Sequence, residues 1–103
     1  MTVTAILSVS PNTEGSMAPE IANALEALEE YDVEYELTPM GTVLEADDIA
    51  EVFTAAQAAH EAVDADRVGT FLKIDDKRTS DQPASAKVDS VEEELEREAT
   101  SRR

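Results

Sequence analysis

YELTPMGTVLEADD, residues 35–48, combines a strand pattern, a turn and a helix start. Apolar residues at 33, 35 and 37 alternate with polar residues at 34, 36 and 38, as a strand with two chemically different faces requires. Pro39 lacks a backbone donor and Gly41 tolerates positive φ, so Pro39-Met40-Gly41 predicts a turn. Residues 42–45 then predict a short returning strand, and Asp47 is the expected N-cap of a following helix.

The same reasoning extends to both ends of the chain. It predicts a first strand over residues 2–10, a helix capped by Ser16 with Pro19 in its first turn, and a second helix over about 47–64. A fourth strand follows over 67–75, and then a last helix with an apolar stripe of Val88, Val91 and Leu95. One domain is expected over residues 1–95, followed by a frayed tail over 96–103.

The predicted order is therefore β-α-β-β-α-β with a C-terminal helix. With right-handed crossovers this gives an α+β, ferredoxin-like fold, a four-stranded antiparallel sheet with two helices on one face. The other face would present a mixture of apolar and polar side chains, which suits a partner subunit or a small ligand. Its members are Ile6, Ser8, Thr38, Met40 and Phe71 among Glu34, Glu36, Lys73 and Asp75.

Composition narrows the range of functions. The 103 residues include no cysteine, which excludes disulfides, thiolate metal sites and thiol nucleophiles. With 24 acidic and 8 basic residues, the net charge of −16 repels nucleic acid and anionic membranes and favours cationic or neutral ligands. Neither a signal peptide nor a membrane span is predicted, so we expect a cytoplasmic protein. The acidic surface predicts a salt-rich cytoplasm, where salt screens the repulsion between carboxylates.

Four segments resemble those of a known family. The stretch over residues 35–48, KIDDKR at 73–78, AHEAV at 59–63 and the opening ILSVSPN are similar to the small thiamine-binding-type proteins, over roughly residues 3–95. The resemblance implies a ferredoxin-like fold that pairs edge to edge as a homodimer or a dimer of dimers. It also implies binding of thiamine or its hydroxymethylpyrimidine part, with no cofactor and no established catalysis.

A thiamine site would need an apolar sandwich for the pyrimidine, acceptors for its amino group and negative potential for the thiazolium. The resemblance assigns binding to Thr38, Met40, Gly41 and Thr42, which lie in the matching motif. Strand geometry adds Ser8 and Asp75 as ligand contacts, and Phe71 offers an apolar surface. Carboxylates for the cation would come from the same region, namely Glu34, Glu36, Glu45 and Asp75.

Simpler interpretations of these residues remain open. Pro39-Met40-Gly41 is also ordinary hairpin chemistry, and Asp75-Asp76 is typical of a solvated strand end. Two adjacent carboxylates of a strand point to opposite faces, so we expect no metal site there. His60, the single histidine, is more typical of a packed or capping residue than of a functional one. The mixed sheet face could equally hold subunits together.

Enzyme classes are poorly supported. One histidine and no cysteine leave little from which to build an activated nucleophile. Acylphosphatases share the predicted topology but need an arginine in the loop after the first strand, where this chain has Pro-Asn-Thr-Glu-Gly. RNA-recognition modules stack bases on aromatic strand residues, and Phe71 alone does not suffice. Two hypotheses therefore remain: a non-catalytic carrier or sensor of thiamine or a related pyrimidine, and an oligomeric interaction or regulatory protein without that ligand.

Overall fold

The computed structural model describes residues 2–79 and 81–102. Met1, Ser80 and Arg103 lie outside the described residues, so the predicted domain and the predicted tail are described without them. The elements, in chain order, are β1 (Val3–Pro11), α1 (Ala18–Leu28), β2 (Glu34–Thr38), β3 (Gly41–Ala46), α2 (Ile49–Ala62), β4 (Val68–Asp76) and α3 (Ser85–Leu95). None of the helices in the described part of the chain has the length and hydropathy that crossing a membrane requires.

The strands form one antiparallel sheet in the order β2-β3-β1-β4. The predicted ferredoxin-like fold, with βαββαβ order and a C-terminal helix, is confirmed. β1 and β3 are central, and β2 and β4 are the two edge strands.

The core lies between the sheet and the helices α1 and α2. Alternate residues of β1, from Val3 to Val9, are buried, while the residues between them are more exposed, so the predicted alternation of faces is confirmed. Leu28 from α1, Leu44 from β3 and Val52 from α2 are completely buried against this face. Burying each such side chain contributes about 2 kcal/mol, so these contacts fix α1 and α2 on the sheet.

Two predicted helix caps shift by one residue. The N-cap of α2 is Asp48 rather than Asp47, and its carboxylate accepts a hydrogen bond of 2.9 Å from the Ala50 N–H. The reason is that β3 continues to Ala46, which leaves Asp47 in the connection. At α1 the N-cap position is occupied by Met17, while the Ser16 hydroxyl accepts a 3.1 Å hydrogen bond from the Ala18 N–H. The predicted proline in the first turn is confirmed.

α3 lies on the side of the sheet opposite α1 and α2, which we call the open face. Its start is held there because the Ala84 N–H donates a 2.8 Å hydrogen bond to the Glu45 carboxylate, and Lys87 forms an ion pair with Asp75. No residue of α3 is buried. Its predicted apolar stripe is exposed along its whole length: Val88, Val91 and Leu95.

Candidate functional site

A cavity of about 180 Å³ lies where the β2–β3 hairpin ends. β3 pairs with β1 only as far as Leu7, opposite Thr42, whereas β1 continues along β4 to Pro11. The hairpin is therefore too short to cover the end of β1 and leaves a notch beside it. The notch, the hairpin tip and α1 enclose the cavity, whose lining comprises residues 7–10, 17, 21, 24, 25, 28, 37–42 and 59.

None of the sixteen lining residues carries a charge. Aliphatic and methionine residues form most of the lining, and its polar residues are Ser8, Ser10, Thr38 and Thr42. The cavity is therefore suited to a small neutral group with an apolar body and a few hydrogen-bonding atoms. An ion placed there would lose its hydration without gaining a counter-ion.

Thr42 supplies the most distinctive polar group of this lining. It is only 6% exposed and is the buried polar residue of a core that is otherwise apolar among the described residues. Thr42 alternates with Gly41 and Val43 and so points to the same side of the sheet as the buried Leu44. Its hydroxyl makes no hydrogen bond to any residue in the described part of the chain, although it lines the cavity. Among the described residues, the fully buried side-chain oxygen without a partner is Asp76 Oδ1, so the Thr42 hydroxyl keeps some access and is open to a bound molecule.

Thr38 shapes the hairpin tip. Its hydroxyl donates a 2.7 Å hydrogen bond to the Gly41 carbonyl and accepts a 3.3 Å hydrogen bond from the Met40 N–H. These bonds close the turn and place Met40, which is 82% exposed, at the mouth of the cavity. Because its one proton is already donated, Thr38 can offer a ligand only a lone pair.

Gly41 is required by the packing of the strands. Its φ is +148°, and a Cβ at this position would lie 3.0 Å from the Leu7 carbonyl oxygen and 3.2 Å from Ile6 Cγ1. The space that a side chain would need is therefore filled by β1. Gly41 still lines the cavity, but the hairpin chemistry alone explains why a glycine stands there.

The structure brings together five of the seven predicted site residues. Ser8, Thr38, Met40, Gly41 and Thr42 line the cavity. Phe71 is opposite Ser8 in the β1–β4 register, yet it alternates with the half-buried Leu72, so its ring lies on the open face and is 60% exposed. Phe71 does not line the cavity, and its role in ligand binding therefore stays a prediction.

Asp75 lies at the opposite end of the sheet, beside Thr4. The hydrogen bond and charge of Lys87 lower the pKa of the Asp75 carboxyl below its ordinary value, with smaller contributions from Lys73 and Lys77. This carboxylate therefore serves to hold α3. A role in binding a ligand stays a prediction for Asp75 as well.

The carboxylates predicted to stand beside the hydroxyls are separated from them. Glu34, Glu36 and Glu45 line a groove between the open face and α3. The expectation that apolar surface, hydroxyls and carboxylates meet in one place is therefore wrong. The reason is register: Glu34 pairs with Glu45 at the end of the sheet farthest from the hairpin turn.

Several contributors to the cavity were not predicted. Val9 of β1 lines it, as does Met17, which directly precedes α1. The sequence feature that could have indicated these residues is the greater length of the first strand compared with the strands of the hairpin.

His60 lies away from the cavity, and its Nδ1 is 2.5 Å from the Thr70 hydroxyl, so this contact links α2 to β4. No group of three or more potential metal ligands occurs among residues 2–79 and 81–102.

Comparison with known proteins shows the family of the chain. The family model described as "Thiamine-binding protein" matches residues 5–92. A UPF0045 protein of Methanothermobacter thermautotrophicus is 46% identical over 98 residues, which covers 90% of this chain and 99% of the relative.

Solved structures show the same fold. The crystal structure of a hypothetical protein from Methanocaldococcus jannaschii superposes with a TM-score of 0.81 at 35% identity, covering 89% of this chain and 97% of the other. A Thermotoga maritima protein superposes with a TM-score of 0.75 at 23% identity, covering 88% and 99% respectively. At that identity the second likeness concerns the fold alone.

Proposed function

The chain belongs to the thiamine-binding protein family, and from this premise we propose that it is a non-catalytic carrier or sensor that binds thiamine or its pyrimidine part. The observation that carries the proposal is Thr42, a largely buried residue that lines an uncharged cavity and whose hydroxyl has no partner among the described residues. Family membership supports the ligand, and the cavity offers a site for it.

The cavity favours the pyrimidine end of the ligand. Its volume of about 180 Å³ is below the roughly 300–1,000 Å³ of sites for drug-sized molecules, which suits one substituted ring. A cationic thiazolium inside this lining would lose hydration without meeting a carboxylate. We therefore place the neutral aminopyrimidine inside and leave the thiazolium of thiamine at the mouth, where the acidic surface of the protein faces solvent.

The same lining offers no obvious catalytic pair. It contains hydroxyls but no histidine, carboxylate or amine that could act as a base toward them. The proposal is therefore one of binding without a chemical step.

Isothermal titration in molar KCl tests the proposal, with hydroxymethylpyrimidine and thiamine as ligands and choline as the cation control. We expect one ligand per chain, no competition by choline, and affinity for hydroxymethylpyrimidine at least equal to that for thiamine. Flat traces for both pyrimidine ligands would refute the proposed function. Displacement of thiamine by choline would show that the thiamine signal reflects only the general attraction of cations by an acidic protein, and it would refute specific binding of thiamine.

Thr42→Val provides the matched variant, because valine keeps the shape of threonine and removes only the hydroxyl. Losing one hydrogen bond of about 1 kcal/mol should weaken hydroxymethylpyrimidine binding roughly fivefold to tenfold. Thr54→Val is the control, since Thr54 is exposed on α2 and bonds the Ala50 carbonyl away from the cavity. Equal affinity of the Thr42→Val protein and the natural one would contradict the assignment of this hydroxyl.

A second candidate function has its own observation. The exposed stripe of α3 and the exposed Phe71 leave apolar surface on the open face uncovered. We propose as the alternative an oligomeric interaction protein, a homodimer or dimer of dimers, assembled through the sheet edges and α3. Val91→Asp should then reduce the mass measured by sedimentation velocity while leaving a bound pyrimidine undisturbed. A monomer at all concentrations of the natural protein would refute this alternative.

A further inference from the structure

The notch exposes one side of the backbone of β1. From Val3 to Leu7, β1 lies between β3 and β4, so strands flank it on both sides. Beyond Leu7 only β4 accompanies it, through the pairs that run from Ser8 and Phe71 to Pro11 and Val68. Any N–H or C=O that β1 directs away from β4 in this segment therefore meets the cavity instead of a strand.

The alternation of an antiparallel strand identifies which residue does so. The Leu7 carbonyl oxygen lies 3.0 Å from the position of a Cβ on Gly41, so Leu7 is directed at β3. At the far end the Asn12 N–H donates a 3.0 Å hydrogen bond to the Arg67 carbonyl, which continues the ladder with β4. Successive residues send both backbone groups to opposite sides. The backbone N–H and C=O of Val9 therefore point to the same side of β1 as those of Leu7, and they face the notch.

These two groups have no partner within the described part of the chain. The β1–β3 register stops at Leu7 and Thr42, and no turn, loop or side-chain hydrogen bond involves Val9 among the described residues. Val9 is nevertheless only 8% exposed and lines the cavity. Backbone groups buried to this degree are nearly always paired, with protein, water or ligand. The next residue of the same direction is Pro11, which has no N–H to satisfy.

We propose that Val9 is the residue that recognises the heteroaromatic ring of the ligand. Its N–H donates to a ring nitrogen and its C=O accepts from an adjacent amino group, so the ligand extends the ladder of the sheet where β3 stops. The chemical class is a planar ring with an amino group beside a ring nitrogen, as in 4-aminopyrimidines. A thiazolium ring offers no such pair. The inference rests on the proposed function and specifies which backbone groups of the site form hydrogen bonds with the ligand.

Amide hydrogen exchange of the full-length ¹⁵N-labelled chain, in molar KCl with hydroxymethylpyrimidine as the probe, tests this directly. At saturation the Val9 amide resonance should shift and its exchange should slow about tenfold or more, the effect of one new hydrogen bond. The Leu7 amide, already bonded within the sheet, should not change. The analogue without the 4-amino group should bind at least tenfold more weakly.

A proline substitution gives a second measurement. Val9→Pro removes an N–H that no strand uses, and Val9→Ala is the matched control that shortens the same side chain and keeps the N–H. We expect Val9→Pro to abolish binding and Val9→Ala, which trims the cavity wall but keeps the N–H, to weaken it at least tenfold less, with circular dichroism showing both folded. If Val9→Pro does not fold, the exchange experiment on the natural chain decides the question.

The outcomes separate the two proposals. Stoichiometric binding of hydroxymethylpyrimidine with an unchanged Val9 amide would overturn this inference and leave the proposed function standing. Absence of binding by calorimetry would overturn both. Equal affinity for the analogue without the amino group would also refute the inference, because the Val9 carbonyl would then have no donor to accept from.

Discussion

At the scale of single residues, the two threonines of the hairpin have different roles that the sequence could not distinguish. The Thr38 hydroxyl is occupied in closing the turn, with hydrogen bonds to the Gly41 carbonyl and the Met40 N–H. Thr42 is largely buried and lines the cavity, and its hydroxyl has no partner among the described residues. Thr38 is thus a positioning residue for the lip of the cavity, and Thr42 is the candidate contact.

This difference gives a stability prediction. In the absence of ligand, the Thr42→Val protein should be at least as stable as the natural one, because the substitution removes a hydroxyl that bonds no described residue and adds a methyl group to a largely buried side chain. The free energy of unfolding from urea titration measures the change, and Thr54→Val again serves as control. A Thr42→Val protein less stable than the natural one would mean that the hydroxyl is satisfied within the free protein.

Gly41 gives a second prediction at this scale. Gly41→Ala should destabilise the fold by about 2–4 kcal/mol, because alanine is strained at a φ of +148° and its Cβ would press on the Leu7 carbonyl. Gly15→Ala is the matched control, since no atom lies within 4 Å of a Cβ built there. Urea unfolding of both variants makes the measurement. A Gly41→Ala protein as stable as the control would show that the hairpin relaxes at little cost.

At the scale of elements, the C-terminal helix is attached mainly by its first turns. The Glu45 carboxylate accepts from the Ala84 N–H just before α3, and the Lys87–Asp75 pair holds the first turn to β4. The rest of α3 carries its apolar stripe into solvent. The Lys87–Asp75 anchor is an ion pair, so the attachment of α3 depends on the ionisation of Asp75.

The lowered pKa of Asp75 fixes the sign of that dependence. Since the folded pKa lies below the unfolded value of 3.8, the attachment is complete above that value and is lost as the pH falls through the folded pKa. We expect chemical shifts of α3 amides to move toward the detached state in this acidic range. Lys87→Gln should raise the pH at which they move. Identical titration curves in both proteins would contradict the role of the pair.

At the scale of the whole molecule, charge dominates. A net charge of −16 on 103 residues produces self-repulsion that destabilises the folded state at low ionic strength. Residues 2–79 and 81–102 show two ion pairs, Lys87 with Asp75 and Arg78 with Asp76 at 3.6 Å. Most carboxylates in the described part of the chain therefore have no neutralising cationic side chain beside them.

We accordingly expect the melting temperature to rise continuously from about 0.1 M to molar KCl, as the screening length falls from about 10 Å to about 3 Å. Replacing the acidic run Glu92–Glu93–Glu94 by glutamines should flatten this dependence, because α3 is exposed and the change removes charge without altering the core. A melting temperature independent of KCl concentration would refute the prediction of a salt-rich habitat.

The sequence by itself determined the order of elements, the buried face of β1, the turn at Pro39-Met40-Gly41 and the absence of cysteine chemistry. These properties depend on residues close together in the chain, through the two-residue period of strands, turn propensities and composition. It also indicated Thr42 and four other cavity residues, because these residues flank the turn or lie on the first strand. The N-caps were displaced by one residue because a cap depends on where the preceding strand ends.

Only the tertiary structure decided where the cavity lies and which residues line it. The notch exists because β1 pairs with β4 beyond the point where β3 turns away, and that difference depends on strands that are distant in the sequence. The same long-range register carries the carboxylates of the open face away from the cavity and leaves the Val9 backbone facing it. Local patterns specify which face a side chain takes, whereas register between distant strands specifies which groups meet.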